Sequence, residues 1–193
     1  MERLNEKKKL DAQGVKPILC FLQQENDDDQ KQLQLSKATQ LINEAKEIIF
    51  LGSGASGVLA KYGSLYLATI GKKARFVEDT YTPNSEEDAS EIVIIVISIS
   101  GETESIIKQV NLFKKVKASV ISITHKENNA LVELATLSIS YAIPKNNFEL
   151  SHVEKTPTQI PVIYFLEVMG KQLLRMNLKL ESERNSSYSD QIG

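Results

Sequence analysis

The chain has 193 residues, 41% hydrophobic and 25% charged, with nine Gly and five Pro, proportions that exclude a disordered or collagen-like polymer and leave room for one ordinary domain with appendages. Lys and Arg number 23 against 25 Asp and Glu, a net charge of −2 that supplies no clustered basic surface for a nucleic-acid backbone, so direct nucleic-acid binding is not expected. Cys20 is the single cysteine, which excludes an intrachain disulfide and a thiolate metal cluster within one chain and fits a reducing, cytoplasmic setting.

Met1 to Leu10 carries charges but no apolar segment after them, so it does not read as a secretory signal. The longest apolar run, Ile92 to Ile97, falls far short of the roughly 20 residues a bilayer span needs. Residues 1–35 are the least regular part: Pro17, an apolar patch from Ile18 to Leu22, then the acidic run Asn26-Asp27-Asp28-Asp29. They predict an arm or isolated helix whose patch packs on the domain or on a second subunit.

From Ser36 the pattern is regular. Ala38, Leu41, Ile42 and Ala45 lie on one helical face behind a Ser36 cap. Ile48 to Leu51 predicts a strand, Gly52 to Gly57 a glycine-rich turn, and Val58 to Ile70 a second amphipathic helix ended by Gly71. Ala74 to Glu78 predicts strand two, and acidic residues 79–91 an exposed connection. Ile92 to Ser98 is a β-branched run without alternation, the signature of a strand covered on both faces at the centre of a parallel sheet. A helix through Ile106, Ile107, Val110 and Phe113, a strand from Ser119 to Thr124, a short helix around Leu131 and Leu134, and a strand from Leu137 to Ile143 follow. The last helix spans about Thr158 to Met176, with Pro161 tolerated in its first turn. Repeated βα units predict an α/β fold: a doubly wound open sheet of five parallel strands with helices on both faces, over residues 36–180, with a polar tail at 181–193.

In such folds ligands sit beyond the carboxyl ends of the strands where strand order reverses, so the loops after the strands carry the chemistry. The first, Gly52-Ser53-Gly54-Ala55-Ser56-Gly57, satisfies G-x-G-x-x-G, with Glu78 as a ribose-binding acid if the ligand were a dinucleotide; a tight turn without ligand is the plain alternative. It is no hydrolase nucleophile elbow, because Val58 stands where G-x-S-x-G needs glycine. The second, Ser98-Ile99-Ser100-Gly101-Glu102-Thr103-Glu104, concentrates hydroxyls at a helix start, where backbone N–H groups and the helix dipole favour a phosphate monoester. The alternative there is capping, with Ser100 as cap and Thr103 or Glu104 completing a capping box.

A Gly-x-Gly-x-Ser turn after strand one and Ser-x-Ser-Gly-Glu-Thr after strand three resemble the SIS (sugar isomerase) domain, over about Leu41 to Leu174. The resemblance implies that a phosphosugar is held by Ser56, Ser98, Ser100 and Thr103, with Gly101 allowing close backbone approach and Ser53 as a further candidate. It also implies a homo-oligomer, dimer or tetramer. The same loops and the Thr156-Pro157-Thr158-Gln159-Ile160-Pro161 helix start look most like the sensor half of RpiR-type transcriptional regulators, although residues 1–35 are too short and too neutral to be their helix-turn-helix domain. A sugar-phosphate sensor is the leading expectation. A small aldose–ketose phosphosugar isomerase is the alternative, and a dinucleotide-binding module a remote one. Isomerisation needs a base between C1 and C2, for which Glu149, Glu154 and His152 are the candidates, a solvated loop being their other reading. His125, after strand four, reaches the same edge by topology. Two histidines 27 positions apart without companion acids predict no metal site, and no cofactor is expected.

Overall fold

A computed structural model describes residues 15–77, 89–125, 127–141 and 159–189. Helices α1 (Val15–Asp27) and α2 (Asp29–Glu44) precede β1 (Glu47–Gly52), α3 (Gly54–Thr69) and β2 (Ala74–Val77). Then come β3 (Ile92–Ile97), α4 (Glu104–Lys115), β4 (Ser119–Thr124), α5 (Ala130–Leu134), β5 (Leu137–Ser140) and α6 (Ile160–Ser189). The strands form one sheet in the order β2-β1-β3-β4-β5, every pair parallel.

The unbroken apolar runs of β1 and β3 are explained by burial on both faces. Ile48, Phe50, Ile95 and Ile97 point to one side and pack with α1, α2, α3 and α6 through Phe21, Leu35, Ile42, Leu59, Phe165 and Met169. Their neighbours Ile49, Leu51, Ile94 and Val96 point to the other and meet α4 and α5 through Ile106, Val110, Phe113 and Leu131. The chain leaves β1 toward β2 and leaves β3 toward β4, so strand order reverses between β1 and β3. Their register pairs Gly52 with Ile97, which sets the two loops expected to carry chemistry side by side at that reversal.

Several boundaries differ from the sequence reading. Helix α2 starts at Asp29, capped by Asp28, whose carboxylate accepts from the N–H groups of Gln30 (2.9 Å) and Lys31 (3.1 Å); Ser36 lies inside the helix and caps nothing. Helix α1 is docked, not isolated: Phe21 is buried, with its ring 6.3 Å edge-on from Phe165 and from Tyr141, while Leu19 stays exposed. Strand β3 ends at Ile97, and the connection before it is not wholly exposed, since Ala89 is buried and its N–H donates to the Val116 carbonyl at 2.7 Å. Helix α6 runs to Ser189, through the stretch read as a polar tail, because Lys, Leu, Glu and Arg after Met176 are strong helix formers even where the apolar face stops. Among the described residues, no helix is long and apolar enough to cross a membrane.

Candidate functional site

The first loop is shaped by contact between the end of β1 and the first turn of α3. A Cβ on Gly52 would stand 2.6 Å from the Ser56 carbonyl oxygen, and one on Gly57 would stand 2.9 Å from the Gly52 carbonyl oxygen. Gly54 holds φ +56°, the left-handed region open to glycine. Both contacts are of backbone on backbone, so two of the three G-x-G-x-x-G glycines are required by packing whatever the ligand. Ser53 occupies the N-cap of α3 with extended backbone, yet its hydroxyl makes no cap bond; its carbonyl accepts from Gly57 N–H at 3.2 Å. Ser56, one turn on, is buried, and its hydroxyl has no partner among the described residues.

In the second loop Ser98 is buried; its Oγ accepts from Gly101 N–H at 3.2 Å and lies 3.5 Å from Thr103 Oγ1. Ser100 is exposed and accepts from Glu102 N–H at 3.2 Å. This corrects the capping alternative: the N-cap of α4 is Thr103, not Ser100, and Thr103 makes no side-chain cap bond. Glu104 completes no box, its carboxylate instead pairing with Lys108 at 2.7 Å, which holds it below its ordinary pKa through that hydrogen bond and the lysine charge. Two helices therefore follow the neighbouring strands β1 and β3, and neither Ser53 nor Thr103 makes a side-chain cap bond at its start. That pair of partly positive helix ends is suited to a phosphate dianion.

The structure thus brings Ser98 and Thr103 together and sets the Ser53–Ser56 loop beside them through the β1–β3 register. Ser53 also lines a cavity of about 300 Å³ on the β2 side of the first loop, with Gly52, Gly54, Gly57, Val58, Lys61 and Phe76. Lys61 was not singled out in the sequence; its i+4 spacing from Gly57 is the signal that puts an ammonium one turn beneath the glycine loop. His125 is tied to the site through its backbone, its N–H donating to Ile99 O at 3.1 Å, and its ring lies 5.3 Å from that of Tyr141. Tyr141 was also missed. It follows β5, is buried, and its hydroxyl has no hydrogen-bond partner among the described residues; burial pushes the phenol up to about 12. Glu78, Glu149, His152 and Glu154 lie outside the described residues.

Residues 41–169 match the SIS domain family. The chain belongs to that family. It is 30% identical over 155 residues to a 3-hexulose-6-phosphate isomerase of Methanocaldococcus jannaschii, covering 80% of this chain and 82% of that one. It is 29% identical over 150 residues to an uncharacterized HTH-type transcriptional regulator of Clostridium perfringens, covering 75% of this chain but only 53% of the regulator. This SIS chain thus spans about half the length of that regulator. A crystal structure of a Methanococcus jannaschii protein, described as inferring a 3-hexulose-6-phosphate isomerase function, superimposes with a TM-score of 0.70 at 27% identity, over 88% of this chain and 92% of that one.

Proposed function

We propose that this SIS domain binds a phosphorylated sugar, its phosphate lying across the starts of α3 and α4 against Ser56, Ser98, Ser100 and Thr103, with Ser53 at the margin and Gly101 giving backbone access. The observation that carries this is that the helices after the neighbouring strands β1 and β3 each open on a hydroxyl residue that does not cap it. The finer reading is a sugar-phosphate sensor of the RpiR type, in which occupancy shifts a conformational or oligomeric equilibrium; the kinship with a helix-turn-helix regulator supports it. The second reading is a phosphosugar aldose–ketose isomerase, favoured by the isomerase relative matched over 82% of its length. Its base would come from Glu149, Glu154 or His152. We further propose a homo-oligomer working in the cytoplasm. Val58, Tyr62 and Leu65, spaced along one face of α3, are exposed, Val58 at 69% and Leu65 at 60%, and cover best against a second copy, which light scattering would detect as a mass above 193 residues' worth.

Proton NMR in D2O with hexose, pentose and amino-sugar phosphates separates the readings. Broadened sugar signals without loss of the C1 or C2 proton support the sensor. Exchange of that proton establishes the isomerase, and Glu149→Gln and Glu154→Gln then identify the base. No broadening with any sugar, or broadening unaltered by Ser100→Ala together with Thr103→Val, refutes the site.

A further inference from the structure

The second loop contains an apparent contradiction: a carboxylate, Glu102, in the middle of a loop proposed to hold a dianion. The hydrogen bonds resolve it. Glu102 Oε1 accepts from the N–H of Ala130 at 3.0 Å, 28 positions away at the first residue of α5. The next N–H, of Leu131, donates to the carbonyl of Gly101 at 3.0 Å. The third, of Val132, is taken by the side chain of Asn129, the N-cap, at 3.0 Å. The three leading N–H groups of α5 are thus satisfied, two of them by the phosphate loop itself. Asn129 is buried, and its amide fills the space a side chain on Gly101 would need, since an added Cβ would overlap Oδ1, Cγ and Nδ2. Gly101 sits at φ +68°, so loop and helix start fit only with glycine there. A fourth bond, His125 N–H to the Ile99 carbonyl at 3.1 Å, ties the other end of the loop to the β4–α5 connection.

We infer that Glu102 is a positioning residue: it latches the phosphate loop onto α5, with Gly101 and Asn129 as the matching surfaces, and so holds the Ser98 and Thr103 hydroxyls and the open end of α4 in their binding arrangement. The inference rests on the phosphate site proposed above. The latch also turns the negative charge of Glu102 toward helix N–H groups, where it is favourable, and away from the anion it would repel. What it requires of residue 102 is an acceptor oxygen, not a charge.

Glu102→Gln keeps that oxygen and Glu102→Ala removes it; both remove the charge. The protein as a full chain is titrated with inorganic phosphate and with fructose 6-phosphate by calorimetry, and amide hydrogen exchange is followed without ligand. The latch predicts binding weakened about fivefold by Ala, the weight of one helix-cap bond, and within twofold of wild type for Gln. It predicts faster exchange at Ala130 and Leu131 in the Ala variant alone. Ala and Gln moving binding together, tighter or weaker, would mean that Glu102 acts on the ligand through its charge, and the latch would be wrong. Unchanged exchange in the Ala variant would also overturn it. Exchange as expected, with neither probe bound by wild type, would overturn the phosphate site and with it the positioning role, leaving a structural contact only.

Discussion

Gly101→Ala is the substitution on which the architecture of the second loop depends most directly. At φ +68° an alanine carries left-handed strain of about 1–2 kcal/mol, and its Cβ overlaps the Asn129 amide. Asn129 must then swing away from Val132 N–H, which costs about 1 kcal/mol for a lost cap. The sum is about 2–3 kcal/mol, which for a chain of 193 residues corresponds to a Tm lowered by roughly 5–10 °C. Gly71→Ala is the matched control: Gly71 holds φ +85° after α3 with nothing within 4 Å of its added Cβ, so it bears the strain alone. Thermal and urea unfolding of both variants, with phosphate titration, should show Gly101→Ala less stable than Gly71→Ala by about 1 kcal/mol, the cap term. Phosphate affinity should fall only in the former, because Gly71 lies at the opposite edge of the sheet, before β2. Equal melting of the two variants, or wild-type phosphate affinity in Gly101→Ala, would refute the fitted contact between Gly101 and Asn129.

Two further predictions concern ionisable groups away from the loops. Tyr141→Phe removes a buried hydroxyl that has no partner among the described residues, and such a group costs about 1–3 kcal/mol when left unsatisfied, so the variant should unfold in urea at the same or higher concentration; a loss above about 1 kcal/mol would reveal a partner. Because burial raises the Tyr141 phenol from 10 to about 12, its neutral form contributes stability that is full below pH 10 and lost as pH rises through 12, and Tyr141→Phe should flatten the alkaline limb of a stability profile. At Glu47 burial alone would raise the carboxyl, but hydrogen bonds and charge from Arg75 and Lys73 outweigh it and hold the group below its usual 4.5. A depressed carboxyl stabilises above its unfolded value and loses that contribution as pH falls through the folded one. Glu47→Gln should therefore destabilise at pH 7, with the deficit shrinking as pH falls below 4.5 through the depressed folded value; an equal deficit at neutral and acid pH would remove the ion pairs from the account.

The strands were legible because a parallel sheet buried on both faces leaves a run such as Ile92 to Ile97 no other reading, and the structure returns β4 with the bounds expected from sequence. The starts of the helices were less legible. Ser36 looked like a cap because the apolar spacing becomes regular behind it, whereas Asp28 and Asp29 complement the helix dipole seven residues earlier, where Leu33 is exposed and the apolar rhythm is broken. Phe21 and Tyr141 could not be paired from sequence, since 120 positions separate them and only the docking of α1 across β5 and α6 brings their rings together. The hydroxyls of the site were visible as residue types. Their arrangement was not, because whether Ser100 or Thr103 caps α4 depends on a turn of backbone that both sequences of events would write identically.

The glycines and the hydroxyls of the two loops answer to different requirements. Gly52 and Gly57 are demanded by the approach of one backbone to another, and Gly101 by Asn129, so each would be needed in the empty protein. This removes the force of G-x-G-x-x-G as a sign of a dinucleotide here: the spacing is accounted for by the junction of β1 and α3 before any pyrophosphate is invoked. Ser53, Ser56 and Thr103 answer to no such backbone approach: Ser53 and Thr103 occupy cap positions without capping, Thr103 Oγ1 meeting only Ser98 Oγ at 3.5 Å, and the Ser56 hydroxyl has no partner among the described residues. Capping is worth about 1 kcal/mol at each helix start, so leaving the starts that follow two neighbouring strands without a side-chain cap, with the hydroxyls already in place, is a stability cost that the proposed anion would offset by taking the same N–H groups. The argument for a phosphate ligand therefore rests on hydroxyls at helix starts that they do not cap, and the glycines only explain the close approach of backbone in the two loops.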